Sequence, residues 1–172
     1  MAAERHYRDG LDLGLRDAYL RGAYADLLLD ADRADEVRAL LADDTNIDGL
    51  LLRLAVAETR LGLAAAKNHQ AVLAARFAAS RQRGSVIHRR EEARFALELL
   101  DRPGEALALA RANWQVQREP ADARLVLEAA LAAGAPEMAR PVIDWLRETG
   151  LEDQQIDKLV ARIDARRARE QS

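Results

Sequence analysis

The chain has 172 residues and no cysteine, so it has no disulfide, thiolate metal site or cysteine nucleophile. Its net charge of −3 argues against the basic field that is typical of nucleic-acid binding. No apolar run reaches the roughly 18 residues that a membrane-spanning helix needs. Alanine, leucine, arginine and glutamate dominate the composition. Because these residues lose little rotamer freedom in a helix, the sequence predicts an all-α protein.

The first element in the chain has helical spacing. In residues 3–14, Ala3, Tyr7, Gly10 and Leu11 recur at intervals of four, three and one. Small and aromatic residues at this spacing predict a helix that packs closely against a neighbour.

The first complete helix pair is predicted over residues 18–45. Asp17 is the expected N-cap of its first helix, which spans 18–30. A short polar turn and a second helix over 36–42 follow. The DDTNID segment after that helix is rich in turn-forming residues, and we expect it to close the pair.

The second pair is predicted over residues 48–83. Asp48 is the expected cap of its first helix, and Gly62 is placed to end that helix. The second helix, from Ala64 to about Arg81, is unusually long. The RQRGSV segment that follows breaks the helical pattern.

Two further pairs are predicted over residues 88–119 and 121–150. Pro120 separates them, because proline cannot continue a helix. Pro141 falls early in a helix, and we expect it to kink or delay that helix. Residues 153–170 combine one apolar face with a charged face, which predicts a C-terminal capping helix.

Two phrases in the chain echo each other at the period of a known repeat. RPGEALALA begins at Arg102 and GAPEMARPVI at Gly134, and Ala106 and Ala139 within them lie 33 positions apart. A period near 34 residues, built from two helices and a turn, resembles the tetratricopeptide repeat. The phrases REEARFALEL and ARANWQVQREPADARL also resemble the C-terminal part of longer proteobacterial tetratricopeptide proteins. Glu58 departs from the pattern, because leucine or an aromatic residue is usual there.

The resemblance implies a single α-solenoid of antiparallel helix pairs. Such solenoids form a right-handed superhelix, and the first helix of each pair lines the concave groove. Under the same resemblance, residues 3–14 match the second helix of a pair whose first helix is missing. We therefore expect that the chain is a fragment of a longer protein. Its compartment stays open between cytoplasm and periplasm.

Sequence features of catalysis or metal binding are weak. The three histidines are scattered without an HExxH spacing, and no serine stands in a GxSxG motif. His88 and Glu92 are four residues apart, but two ligands do not make a metal site. The glycines are isolated, so no phosphate loop is present. We therefore predict that the chain is not an enzyme and binds no cofactor or metal.

The leading hypothesis is a protein-interaction scaffold that binds a peptide or helix in the concave groove. Arg90 and Arg94, one helical turn apart in HRREEAR, are its sharpest feature, because arginine suits bidentate capture of a carboxylate. The residues expected to face the groove are Tyr19, Asp26, Asp30, Leu52, Val56, Arg60, Arg90, Arg94, Arg124 and Glu128.

Other hypotheses remain open. The second hypothesis is a structural segment that packs against missing N-terminal repeats or self-associates through the apolar side of helix 18–30. Recognition of single-stranded RNA is a third reading, but it needs a basic groove with stacking aromatics. We expect Trp114 and Trp145 to fill space between neighbouring repeats, with an exposed partner anchor as the alternative.

Overall fold

The computed structural model describes residues 2–12, 17–85 and 88–170. It is 79% helical, and no strand occurs within these ranges. The all-α prediction is therefore confirmed. The α-helices are α1 (Ala2–Asp12), α2 (Ala18–Asp30), α3 (Ala34–Leu41), α4 (Asp48–Arg60), α5 (Ala65–Gln82), α6 (Arg89–Glu98), α7 (Pro103–Trp114), α8 (Pro120–Ala132), α9 (Arg140–Thr149) and α10 (Gln154–Glu170). A 3₁₀ turn, Pro136–Ala139, precedes α9.

The chain divides into two compact units, Met1–Ser85 and Val86–Ser172. In the first unit each helix from α1 to α5 packs on the next, and α2 also packs on α4. The fully buried side chains of this unit are aliphatic and aromatic, and they include Leu28, Val37, Leu54, Leu73 and Phe77. Burying such side chains is the main source of the unit's stability.

In the second unit α6 packs on α7, α7 on α8, and α8 on α9. Helix α8 also packs on α6 and on α10, which makes it the central helix of the unit. Trp114 is buried, and its ring meets the half-buried Trp145 edge to face, with ring centroids 5.1 Å apart. The two tryptophans therefore pack against each other within this unit.

Several helix ends follow their local sequence. Asp17 Oδ1 accepts hydrogen bonds from the backbone N–H groups of Tyr19 and Leu20, at 2.6 and 3.1 Å. Gly62 follows the end of α4 with φ +68°, a conformation that glycine adopts without strain. The N-cap at Asp17 and the stop at Gly62 are therefore confirmed.

Proline and aspartate shape two other helix starts. The turn Pro136–Ala139 is 3₁₀, and α9 begins only at Arg140 with Pro141 in its first turn, so the predicted delay is confirmed. The predicted cap at Asp48 is wrong, because Ile47 holds the N-cap position. The Asp48 carboxylate instead accepts a hydrogen bond from Arg76 at 2.9 Å.

The coarse architecture is thus an all-helical chain whose helices pack neighbour to neighbour. The predicted capping helix over 153–170 corresponds to α10, and the predicted helix over 3–14 corresponds to α1 as far as Asp12. Residues 13 and 14 lie outside the described residues. None of the helices in the described chain is both long and apolar enough to cross a membrane.

Candidate partner-binding face

Two residues expected to face a groove lie in the core of the first unit. Leu52 is 0% exposed and Val56 is 2% exposed. Helix α4 contacts α2, α3 and α5, so apolar side chains on most of its sides are covered. The prediction that Leu52 and Val56 line an open surface is therefore wrong.

The other predicted residues of the first unit lie at or near the surface. Asp26 accepts two hydrogen bonds from Arg53 of α4, at 3.0 and 2.5 Å, and these join α2 to α4. Arg60 donates to the carbonyl of Leu29 at 2.7 Å. Asp30 is exposed at the end of α2. These contacts make Asp26 and Arg60 links between helices.

The exposure of α2 bears on self-association. Tyr19 is 83% exposed, but Tyr24, Leu28 and Leu29 are buried. Helix α1 packs on α2, and the rings of Tyr7 and Tyr24 stack with centroids 5.7 Å apart. The apolar side of α2 is therefore covered by the chain itself, and only Tyr19 remains as an exposed large side chain on this helix.

In the second unit, Arg90 belongs to a buried clamp. Its Nε donates to Asp122 Oδ1 at 2.5 Å, and the same guanidinium also reaches Asp122 Oδ2 and Glu119. Asp122 accepts further hydrogen bonds from the Asn113 amide at 2.8 Å and from the backbone N–H of Glu119 at 2.9 Å. The clamp thus ties α6, α7 and the start of α8 together.

The clamp changes the role expected of Arg90. The Asp122 side chain is 0% exposed, and an unpaired charge there would be costly. Burial alone would lower the pKa of Arg90, but hydrogen bonds to Asp122 and Glu119 outweigh it and raise that pKa above its ordinary value. Hydrogen bonds from Gln117 and Arg90 lower the pKa of Glu119. We therefore correct the prediction that Arg90 captures a partner: it holds three helices in place.

A second group of charges recurs on α6 and α8. RFALE on α6 and RLVLE on α8 place arginine and glutamate four residues apart, on one face of each helix. We call Arg94, Glu98, Arg124 and Glu128 the RxxLE face. The apolar residues between the charges are buried or half-buried and include Phe95, Leu125 and Leu127. The core thereby sets the direction of the charged side chains.

Each arginine of the RxxLE face pairs with the glutamate of its own helix. Arg94 Nε donates to Glu98, and Arg124 Nε donates to Glu128 at 2.7 Å. Because α6 packs on α8, the two pairs belong to neighbouring helices of one unit. The four side chains are 20–33% exposed, so they are half-buried charges.

Within the RxxLE face, Glu128 has a raised pKa. Burial raises its pKa, and the nearby charge of Glu98 raises it further. Arg124 and Arg94 act in the opposite direction without cancelling the effect. The face therefore holds a carboxylate that is less stabilised as an anion than an ordinary surface glutamate.

Two features of the structure were not identified from the sequence. Glu98 was not selected, although the repeated RxxLE spacing marks it as the counterpart of Glu128. Glu58 is 4% exposed, and His69 Nδ1 of α5 lies 2.7 Å from its Oε2. The presence of an acidic residue at a position where leucine was expected was the only signal of this buried pair.

The described residues contain no cluster of three histidine, cysteine, aspartate or glutamate side chains that could hold a metal ion. The fold assigns the chain to a broad class of protein: an all-α protein whose helices pack neighbour to neighbour. No family model, curated protein or solved structure matches the chain. The tetratricopeptide resemblance therefore stays a prediction.

Proposed function

We propose that this chain is a non-catalytic protein-interaction scaffold and that the RxxLE face binds a peptide or helix of its partner. The observation that carries the proposal is the recurrence of one arginine–glutamate pair on two helices that pack together. A solenoid of tetratricopeptide-like pairs would place both helices on its concave side. We include this solenoid geometry in the proposal.

Half-buried ion pairs suit exchange with a partner. Water has already been partly displaced from Arg94 and Arg124, so a partner has less hydration to remove there. A partner carboxylate would take a bidentate position on one guanidinium and displace the glutamate that now accepts from it. Burial makes the charged form of Glu128 less stable, which eases its displacement from Arg124.

The face carries two arginines and two glutamates, so it favours a partner segment that carries both signs of charge. A strongly basic or acidic polymer would meet repulsion from half of the face. The proposal therefore names a mixed-charge peptide or helix and no nucleic acid.

The proposal is tested with short peptides selected from a displayed random library on the intact chain. Affinity is then measured for the parent and for a variant with Arg94→Glu and Arg124→Glu. We expect this variant to lose at least about tenfold in affinity, because each reversed charge removes a charge-assisted hydrogen bond. Because the four side chains are half-buried, circular dichroism must show that the variant keeps the helicity of the parent before the two affinities are compared.

The matched control reverses two other arginines of the same unit. Arg102 and Arg140 are exposed, and each makes only a loose ion pair, at 3.5 and 3.8 Å. Arg102→Glu with Arg140→Glu makes the same change in net charge and should leave affinity unchanged. Equal losses in the two variants, or selected peptides that bind both variants like the parent, would contradict the proposal.

A structural, self-assembling role is the second candidate, and the exposure of Tyr19 is the observation that favours it. Light scattering of the parent and of Tyr19→Ser over a range of concentrations tests this role. Self-association that Tyr19→Ser removes would support it. A parent that stays monomeric at every concentration would exclude it.

A further inference from the structure

A groove opens between the last two helices of the second unit. Helices α9 and α10 each pack on the 3₁₀ turn and on α8. The space between them has a volume of about 340 Å³. Ligand sites in proteins span roughly 300–1,000 Å³, so this groove lies at the small end of that range. Ile143, Leu146, Leu151 and Val160 supply its apolar lining.

The two lips of the groove differ in charge. Asp157 and Asp164 of α10 are exposed on the lip and lie seven residues apart, about two helical turns or 10 Å. No ion pair joins either carboxylate to any residue in the described part of the chain. The opposite lip holds Arg147 of α9, which makes only an exposed 3.6 Å contact with Asp144.

This pattern defines the chemistry of an occupant. Two carboxylates one heptad apart match two basic residues at i and i+7 on one edge of a helix. An apolar residue at i+3 or i+4 then lies between them and reaches the groove lining. An acidic residue on the far edge meets Arg147. Charge complementarity thus selects a helix with a basic edge and an apolar stripe.

We propose that the α9–α10 groove docks an amphipathic helix of a partner protein, with its basic edge on Asp157 and Asp164. This surface is separate from the RxxLE face and uses none of its residues. The experiments can therefore disprove docking in the groove without disproving binding at the RxxLE face, and the reverse also holds.

Two labelled synthetic helices serve as probes. The Lys peptide has lysines at i and i+7, leucines at i+3 and i+4, and an alanine–glutamine background. The Glu peptide differs only in having glutamate at both lysine positions. Fluorescence anisotropy with the full chain should show binding of the Lys peptide, weakened by added salt, and much weaker binding of the Glu peptide.

Two double variants distinguish peptide binding in the groove from binding elsewhere on the surface. Asp157→Asn with Asp164→Asn should weaken the Lys peptide roughly three- to tenfold, the effect expected from two exposed ion pairs. Glu137 and Glu148 are exposed residues that do not line the groove. Glu137→Gln with Glu148→Gln removes the same charge and should have no effect.

A steric variant tests the apolar part of the groove. Ala161 is exposed on α10 and lines the groove, so Ala161→Trp should fill it and block the Lys peptide without disturbing the core. The Arg94→Glu, Arg124→Glu variant should bind the Lys peptide like the parent.

The following outcomes would overturn the proposal. The first is equal binding of the two peptides. The second is a Lys-peptide affinity that neither the double-asparagine variant nor Ala161→Trp changes. The third is concentration-dependent dimerisation that the double-asparagine variant abolishes, because it would assign the groove to a second copy of the chain.

Discussion

Replacing Asp122 by alanine is the most direct test of the buried clamp. Asp122 accepts four hydrogen bonds: two from Arg90, one from Asn113 and one from the Glu119 backbone. Its side chain is fully buried, so water cannot replace these contacts without an opening of the fold.

The cost can be worked out contact by contact. The Asn113 amide would lose a bond worth about 1 kcal/mol. The start of α8 would lose a capping bond of about 1 kcal/mol. Arg90 would keep Glu119 but lose its buried partner, at about 1–2 kcal/mol. We expect Asp122→Ala to lower the free energy of unfolding of the second unit by about 3–4 kcal/mol. Asp122→Asn, which retains an acceptor oxygen, should cost less.

Urea unfolding followed by tryptophan fluorescence is the suitable assay. Both tryptophans of the chain lie in the second unit, and their rings contact each other. The control is Asp144→Ala, because Asp144 is half-exposed and makes only loose ion pairs at 3.6 and 3.8 Å. The control should cost less than about 0.5 kcal/mol. Equal destabilisation by the two variants would refute the assignment of Arg90 and Asp122 to a structural clamp.

Three further predictions concern other parts of the fold. Gly150 has φ +63°, so Gly150→Ala should lower the free energy of unfolding by about 1 kcal/mol in the same assay. The control is Gly104, which lies in α7 with open space around it. Gly104→Ala should therefore be neutral or stabilise the unit by up to about 1 kcal/mol. His69→Ala should destabilise the first unit by about 1–3 kcal/mol, because the buried Glu58 loses its partner. Adding Glu58→Leu to this variant should recover stability. Amide hydrogen exchange of α4 and α5 measures both effects, and a double variant that recovers no stability would contradict this account. The raised pKa of Glu128 means that its ionised form costs stability at neutral pH and that this cost disappears as the pH falls through the raised pKa towards the ordinary value of 4.5. Glu128→Gln should therefore stabilise the second unit at neutral pH but not below pH 4.5, and an equal effect at both pH values would contradict the raised pKa.

The candidate sites were only partly accessible from the sequence. Arg94 was selected because helical spacing places it one turn from Arg90 on the same face, and this spacing is a local property. Arg90 was selected for the same reason, but it contacts Asp122, 32 residues away on another helix. Leu52 and Val56 were assigned to a surface because no pattern shows how many neighbours enclose α4.

The amino-acid sequence by itself determined the helical class and several helix ends. Asp17, Gly62 and Pro141 act on backbone groups within a few residues, so their effects follow from composition and order alone. Tertiary structure decided which polar side chains meet in the interior, as in the Glu58–His69 pair. It also decided where a groove remains open, as between α9 and α10. Both depend on the packing of helices against one another, which brings together residues whose separation in the sequence carries no local signal.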